Sequence, residues 1–436
     1  MKKLLTILLA LLMVFGLAAC NKAAEPEVEE AGIYGFAVDS ATDVLQSMIM
    51  QSGVGVWDNA SKSVLFDDAK VYEALDWYGK GVQEGVFLSN PSLSNYFSDD
   101  YNAKNIAMYV GSVAGAPYLK ESWKTAPMPQ TAGGTTWTPA WNRGVLVFDY
   151  GDEARIQAAA AFIEFFATPE QNTAWCIACN YMTALKSTQD FAAYQEYLAS
   201  SDPNVAALNA LDPASAGAFP AVPAISPIRT ALKNAMSDAA AGLSGEEAVK
   251  NAVEFVTNEL ASVAESPTEY TGTTNTGNTD SATVTIWHTY TDAQNDALNK
   301  AAEEFNASQD KYTVLVESQD RTGFDNTVYQ AVMAGNGPDI IIDYASTAAT
   351  YVVDGKSVDL SQFLSADLVA QLNAGALEEA TSFTDGGLHV FPIVFSGPVL
   401  FYNPDLLAQY EVEVPTTWAE VYEASVKIHE ASKKAQ

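Results

Sequence analysis

The amino-acid sequence predicts an α/β protein built as two lobes. Three observations predict it: an unbroken β-α-β-α-β run over residues 284–342, a chain too long for one core, and an internal stretch of linker composition. Alternating strands and helices place a parallel sheet beneath covering helices. The chain has 436 residues, whereas single hydrophobic cores stop growing beyond roughly 250–300. Between Ser266 and Ala282 apolar residues nearly vanish in favour of Thr, Gly, Asn and Ser, the composition of a flexible linker.

Taken in order, the elements begin with a targeting segment. Lys2 and Lys3 precede an apolar run from Leu4 to Gly16 that is too short for a permanent bilayer span. No later stretch offers about 18 consecutive apolar residues. Residues 20–32 hold Cys20 and an acidic spacer without apolar periodicity. A strand is expected over Ile33–Val38 and a helix over 42–50. Val71, Leu75, Tyr78 and Val82 share one helical face, which predicts a helix over 71–85, and Ile106–Val110 reads as a buried strand. Arg143–Phe148 is another strand, and Glu153–Ala167 an amphipathic helix. Thr168-Pro169-Glu170-Gln171 predicts a helix start, with Thr as N-cap, Pro at the first helical position and Gln closing a capping box. Further helices are expected over 169–180, 189–199, 227–241 and 245–264.

After the linker the pattern is cleaner. Val284–His288 is a strand, and Asp292–Asn306 a helix with apolar positions 297, 298, 301, 302 and 305. Tyr312–Glu317 is a strand and 325–334 a helix. Gly335-Asn336-Gly337-Pro338 leads into an apolar strand rather than a helix, so it is a turn and not a phosphate loop.

Composition narrows the function. Loss of the targeting segment removes Lys2 and Lys3 but no acid, leaving 20 basic against 54 acidic residues and a net charge of −34. Such a surface repels nucleic acid and anionic lipid headgroups. His288, His389 and His429 share no ligand spacing, and neither a Gly-x-Ser-x-Gly elbow nor a Walker loop is present. No enzyme activity, metal or cofactor is therefore expected. Cys176 and Cys179 have redox-motif spacing but lie beyond the first turn of their helix, with no second pair for zinc. They read as two packed thiols or a local disulfide.

The chain contains four arginines. Arg155 falls on the polar face of its helix, while Arg143, Arg229 and Arg321 fall at loop or hinge positions. An arginine fork in an acidic background suits a phosphate or carboxylate. Trp141, Trp137 and Phe324 could wall such a site, although core packing accounts equally well for Trp137.

Two resemblances sharpen this. Leu17-Ala18-Ala19-Cys20 resembles the lipobox of bacterial lipoproteins, which implies a signal peptide at 1–19, a lipidated Cys20, and an extracytoplasmic protein anchored to the cell membrane. The strand-helix run from 284, with Ala334-Gly335-Asn336-Gly337-Pro338-Asp339, resembles the beginning of the extracellular solute-binding proteins of family 1, which include maltodextrin- and glycerol-3-phosphate-binding proteins. Ser396-Gly397-Pro398-Val399-Leu400-Phe401-Tyr402-Asn403 and Pro415-Thr416-Thr417-Trp418 are similar to that family's middle, and Ile33-Tyr34-Gly35-Phe36-Ala37 to the segment that succeeds it. Trp141–Phe148, the Phe162–Gln171 stretch and Ser226-Pro227-Ile228-Arg229 resemble its later third.

The order of these matches implies a circular permutation, with the old ends joined through 266–282. The resemblance implies a two-lobed, type II periplasmic-binding-protein-like fold. Lobe 1 would comprise 136–190 and 283–392, and lobe 2 would comprise 33–135, 191–265 and 393–436, with crossings near 135–142, 186–192 and 391–397. It also implies the monomeric substrate-binding lipoprotein of an ABC importer, with permease subunits as partners. The ligand would be glycerol-3-phosphate or a glycerophosphodiester, alternatively an oligosaccharide; a sensor or surface role using the same cleft is the other class. By resemblance Arg229 holds a phosphate, and Ser112, Ser396, Gly144 and Tyr181 stand at ligand-contact positions. Phe324 replaces a usual tyrosine. Asp39 and Asp43 fall in the segment where the family has two tryptophans, and carboxylates there suit hydroxyls or an amine and oppose a second anionic group.

Overall fold

The computed structural model describes residues 32–434, except 59–60, 90–95, 213–214, 218, 220, 263–264, 266 and 279. The expected signal peptide, Cys20 and nearly all of the acidic spacer lie outside the described residues. No helix among those described is long and apolar enough to cross a membrane.

Two sheets organise the chain. The first has five strands in the order Phe87–Leu88, Tyr34–Val38, Ile106–Ser112, Pro398–Tyr402, Lys124–Ala126. The second has six, in the order Tyr312–Ser318, Ala282–His288, Ile340–Asp343, Trp141–Val147, Phe391–Ser396, Met182–Thr183. Both share one plan. A first strand is flanked by the next two in parallel, with Tyr34 opposite Ile106 in one sheet and Val284 opposite Val314 in the other. An antiparallel strand from a distant part of the chain then joins: Pro398–Tyr402 in the first sheet, Trp141–Val147 in the second. This is the two-lobed mixed α/β arrangement expected from the sequence.

Helices cover both faces of each sheet, so the side chains of one strand enter two cores. In Trp141–Val147, Val145 and Val147 pack with Phe162 and Phe305 beneath Glu153–Phe166 and Asp292–Ser308. Leu146, between them, points oppositely and packs with Val332 and Ile341. The first sheet is covered by Ala41–Gln51, Ala69–Gln83, Ile225–Ala240, Gly245–Leu260 and Trp418–Lys434, with Phe36, Leu75, Ile228 and Val421 fully buried among them.

Local chemistry explains most boundaries. Ser40, Asp68 and Asp152 cap their helices through side-chain oxygens, and Ser244 with Glu247 forms a capping box. The box expected at Thr168 does not form. Thr168 makes no capping bond, and the Gln171 amide instead donates to Glu304 at 2.6 Å, on the neighbouring helix. The helix expected over 189–199 is two, Lys186–Gln189 and Ala192–Leu198, because Phe191 is extended. The helix carrying Arg229 begins at Ile225, ahead of Pro227, whose missing N–H falls in the first turn where no intrahelical partner is needed.

The described part of the 266–282 stretch has neither helix nor strand before Ala282, yet it is not the loose tether its composition suggests. Thr273 donates its N–H and hydroxyl to Asp149 at 2.6 and 2.7 Å. Thr276 and Asn278 donate backbone N–H groups to Glu153 at 2.7 and 3.0 Å. The Thr276 hydroxyl, foremost among these donors, draws the Glu153 carboxyl down to about 2. Cys176 and Cys179 are both free and buried, which leaves the packed-thiol alternative.

The first strand and the last helix lock together. Ile33 N–H donates to Ser432 Oγ at 2.9 Å, and a Cβ added at Gly35 would lie 2.1 Å from Ser425 Cα. Gly35→Ala is therefore expected to destabilise the lobe built on the first sheet by about 2–3 kcal/mol through overpacking. The urea midpoint measures this, and an unchanged midpoint would show that the helix does not press on the strand.

Candidate functional site

Between the lobes lies a cleft of about 200 Å³, lined by Trp141, Phe219, Ile225, Arg229, Tyr344, Ser346 and Glu379. Sheet direction brings these residues together. Ile340–Asp343 ends where Tyr344 begins, and Phe391–Ser396 ends at the same edge. Trp141–Val147 runs antiparallel to both, so it starts there. Loops at the carboxyl ends of parallel strands are where open α/β sheets place ligands.

Arg229 enters from the first turn of its helix. Its guanidinium pairs with Asp43 at 2.8 Å, donates to Gln46 Oε1 at 3.3 Å, and lies 5.2 Å above the Phe219 ring. The Thr42 hydroxyl donates to the Arg229 carbonyl at 3.2 Å, fastening the two helix starts together. Arg229 and Asp43, expected from separate segments, thus form one buried-edge ion pair, with only 5% of the Asp43 side chain exposed.

The other expected residues distribute unevenly. Trp141 lines the cleft. Ser396, buried, stands opposite Trp141 in register, and the Tyr181 hydroxyl reaches its side chain. Burial pushes the Tyr181 hydroxyl up to about 12. Ser112 closes its strand, and its Oγ accepts Ala114 N–H at 3.2 Å, capping a short 3-10 turn. Asp39 accepts Phe97 N–H at 2.8 Å, and burial raises its carboxyl to about 6. Arg143 lies behind Tyr344, 4.9 Å from its ring centre.

Three expectations take a different form. Gly144 lies within the sheet, opposite Asp343 and Pro392, and a Cβ there would come within 2.4 Å of Phe391 O. The neighbouring strand needs that position bare. Arg321 is exposed, outside the cleft lining. Phe324 also misses the cleft: the chain turns at Gly323, φ +72°, and Phe324 packs against the core beneath Leu146 and Val328. Trp137 is buried edge-on to Phe219 at 6.0 Å, supporting the wall from behind.

Sequence reasoning missed Phe219, Ile225, Tyr344, Ser346 and Glu379. Tyr344 carried a usable signal, since it directly follows a strand at the ligand-facing edge. Glu379 carried none, because Glu378-Glu379 on a short helix reads as solvated. In fact Glu379 is 4% exposed and accepts a hydrogen bond from the Asn142 amide. Among the described residues no cluster of three His, Cys, Asp or Glu could hold a metal ion. The arrangement offers aromatic faces, hydroxyls, an ion pair and a carboxyl group.

Burial raises the Glu379 carboxyl to about 8, from 4.5 when unfolded. The folded state therefore keeps this proton to higher pH. Its effect on stability is absent below pH 4.5, grows unfavourable between 4.5 and 8, and is constant above. Glu379→Gln is expected to flatten that slope and to raise stability near pH 7 by roughly 3 kcal/mol, at about 1.4 kcal/mol per pH unit. Urea unfolding at pH 4.5 and 7 checks it, and an unaltered slope would mean the carboxyl titrates normally.

Known proteins resemble this chain on both sides of the linker stretch. Two family models, each of bacterial extracellular solute-binding proteins, match residues 288–435 and 16–207. The sn-glycerol-3-phosphate-binding periplasmic proteins of Brucella abortus and Brucella suis are each 30% identical over 160 residues, covering 33% of this chain and 35% of theirs. That of Rhizobium meliloti is 29% identical over 160 residues. The match thus spans about a third of the length of these relatives. The cyclic α-maltosyl-1,6-maltose binding protein from Arthrobacter globiformis superimposes with a TM-score of 0.43 at 20% identity, over 52% of this chain and 59% of its own. With matching segments on both sides of the linker stretch, the chain belongs to the bacterial extracellular solute-binding proteins.

Proposed function

We propose that this protein is the extracytoplasmic receptor of an ABC importer and captures a small phosphorylated polyol, glycerol-3-phosphate or a glycerophosphodiester, between its lobes. The observation that carries the reading is the cleft itself, with Arg229 set among Trp141, Phe219 and Tyr344. Aromatic faces shed water against a carbon backbone, while the Arg229–Asp43 pair presents donors and acceptors side by side to hydroxyls. Contacts made to both lobes at once favour closure, since only differential affinity moves an open-closed equilibrium. The closed form docks on the permease. Family membership supports a transport role over catalysis, and the names of the curated relatives support the glycerol phosphate. A lipid on Cys20 would hold the receptor at the membrane.

A second reading, a sugar receptor, is favoured by one feature. Asp43 already answers the charge of Arg229, leaving three aromatic walls suited to a neutral ring. The chain order is read with either ligand as a circular permutation. The adjacency of Ile33 and Ser432 supports that, because one peptide could once have joined them.

Calorimetric titration with sn-glycerol-3-phosphate, a glycerophosphodiester and maltose decides between the ligands. The phosphate esters are expected to bind, and Arg229→Ala to weaken them roughly 10- to 100-fold, by removing charged hydrogen bonds and leaving Asp43 unpaired. Binding of maltose alone, indifferent to Arg229, would establish the sugar reading instead.

A further inference from the structure

Two of the four arginines already have carboxylates. Arg155 reaches Asp339 at 2.7 Å and Arg229 reaches Asp43 at 2.8 Å. Arg321 is exposed. Arg143 is different: it is largely withdrawn from water, its Nε has no hydrogen-bond partner, and no carboxylate among the described residues pairs with it.

Its surroundings are aromatic. The guanidinium lies 4.9 Å from the centre of the Tyr344 ring. Tyr290, Tyr344 and Tyr181 are all near enough to act on it electrostatically. Tyr290 is held in place by the His288 ring, stacked at 5.6 Å, and by Trp175 edge-on at 5.2 Å. The one acid acting on Arg143 is Asp343, whose carboxyl accepts Tyr344 N–H at 2.8 Å. Burial pushes that carboxyl up while the arginine draws it down, and the two make no ion-pair contact of the kind Arg155 and Arg229 have.

Topology gathers this group at the ligand-facing edge of the second sheet. Tyr290 and Tyr344 come just after the ends of two parallel strands. Arg143 and Tyr181 stand at the starts of strands that run antiparallel to Phe391–Ser396. A cation shielded from water without a carboxylate in ion-pair contact is costly, and an aromatic face offsets only part of that cost. A fork of donors over a tyrosine ring, beside the cleft, is incomplete until an anion arrives.

We propose that Arg143 is the seat of a phosphate-type oxyanion of the ligand, bound at the edge of Tyr344 with the Tyr181 and Tyr290 hydroxyls as neighbouring donors. The inference rests on reading the cleft as a ligand site, and it moves the anion anchor from Arg229, leaving the Arg229–Asp43 pair for hydroxyls.

The test is thermal unfolding in inorganic phosphate against chloride at equal ionic strength, for the wild type, Arg143→Gln and Arg229→Gln. Phosphate is expected to raise Tm in the wild type and Arg229→Gln and to leave Arg143→Gln unmoved. A persisting response in Arg143→Gln, or none in the wild type, would overturn the proposal. Should Arg143→Gln fold poorly, arginine Nε–Hε signals of the wild type decide. There are four to assign, and phosphate must shift that of Arg143 rather than that of Arg229. Titration with glycerol-3-phosphate separates the two readings. Equal binding by wild type and Arg143→Gln sinks the anchor but keeps the receptor, whereas a phosphate response without ester binding keeps the anchor and sinks the ligand.

Discussion

The cleft depends on one crowded crossing. Ser396 ends a strand of the second sheet and Pro398 begins one of the first, so a single residue, Gly397, separates the lobes on that path. Beside it runs Pro139–Trp141, the other crossing that carries cleft residues. A Cβ at Gly397 would stand 2.8 Å from Pro139 O, and the Gly397 carbonyl accepts Val113 N–H at 3.1 Å. Two strands can thus leave one lobe and enter the other side by side only because one of them lacks a side chain. Trp141, Ser396 and Ser112 all take their positions from this point.

That frame sets the electrical character of the cleft. The molecule is strongly acidic, yet the groups in and beside the cleft are mixed: the Arg229–Asp43 pair, the carboxyl of Glu379 beside Asn142, and Arg143 behind Tyr344. Low-dielectric aromatic walls magnify the charges of Arg229, Asp43 and Arg143 relative to the solvated exterior, whereas the buried Glu379 carboxyl keeps its proton at neutral pH. An acidic exterior also makes a cationic recess more selective, because it disfavours anions everywhere else on the surface. Selectivity for a ligand then arises less from the number of contacts than from which charges are already answered and which are not.

Much of this was legible in the residues, and the limits have physical causes. The strand-helix alternation from 284 to 342 is local periodicity, and the structure places those elements within a few residues of expectation. That Arg229 and Trp141 line the cleft was legible because each sits beside a strand edge or helix start that the pattern marks. Pairings between distant segments were not. Nothing local says that Asp43 meets Arg229, that Gln171 abandons its own helix for Glu304, or that Glu379 is drawn inward to Asn142. Phe324 was misplaced because a resemblance fixes the residue but not the turn at Gly323 before it. Linker composition announced an absence of core but could not show that threonine hydroxyls and amides would find Asp149 and Glu153.

The two free thiols among the described residues carry a practical consequence. Cys176 and Cys179 lie on one helix, packed against Trp175 and the second sheet, and burial pushes both thiols far from ionisation. A maleimide or disulfide reagent finds neither thiolate nor access while that helix is seated. Their labelling rate in the native protein is therefore a clock for the opening of one lobe alone, blind to whatever the other lobe is doing.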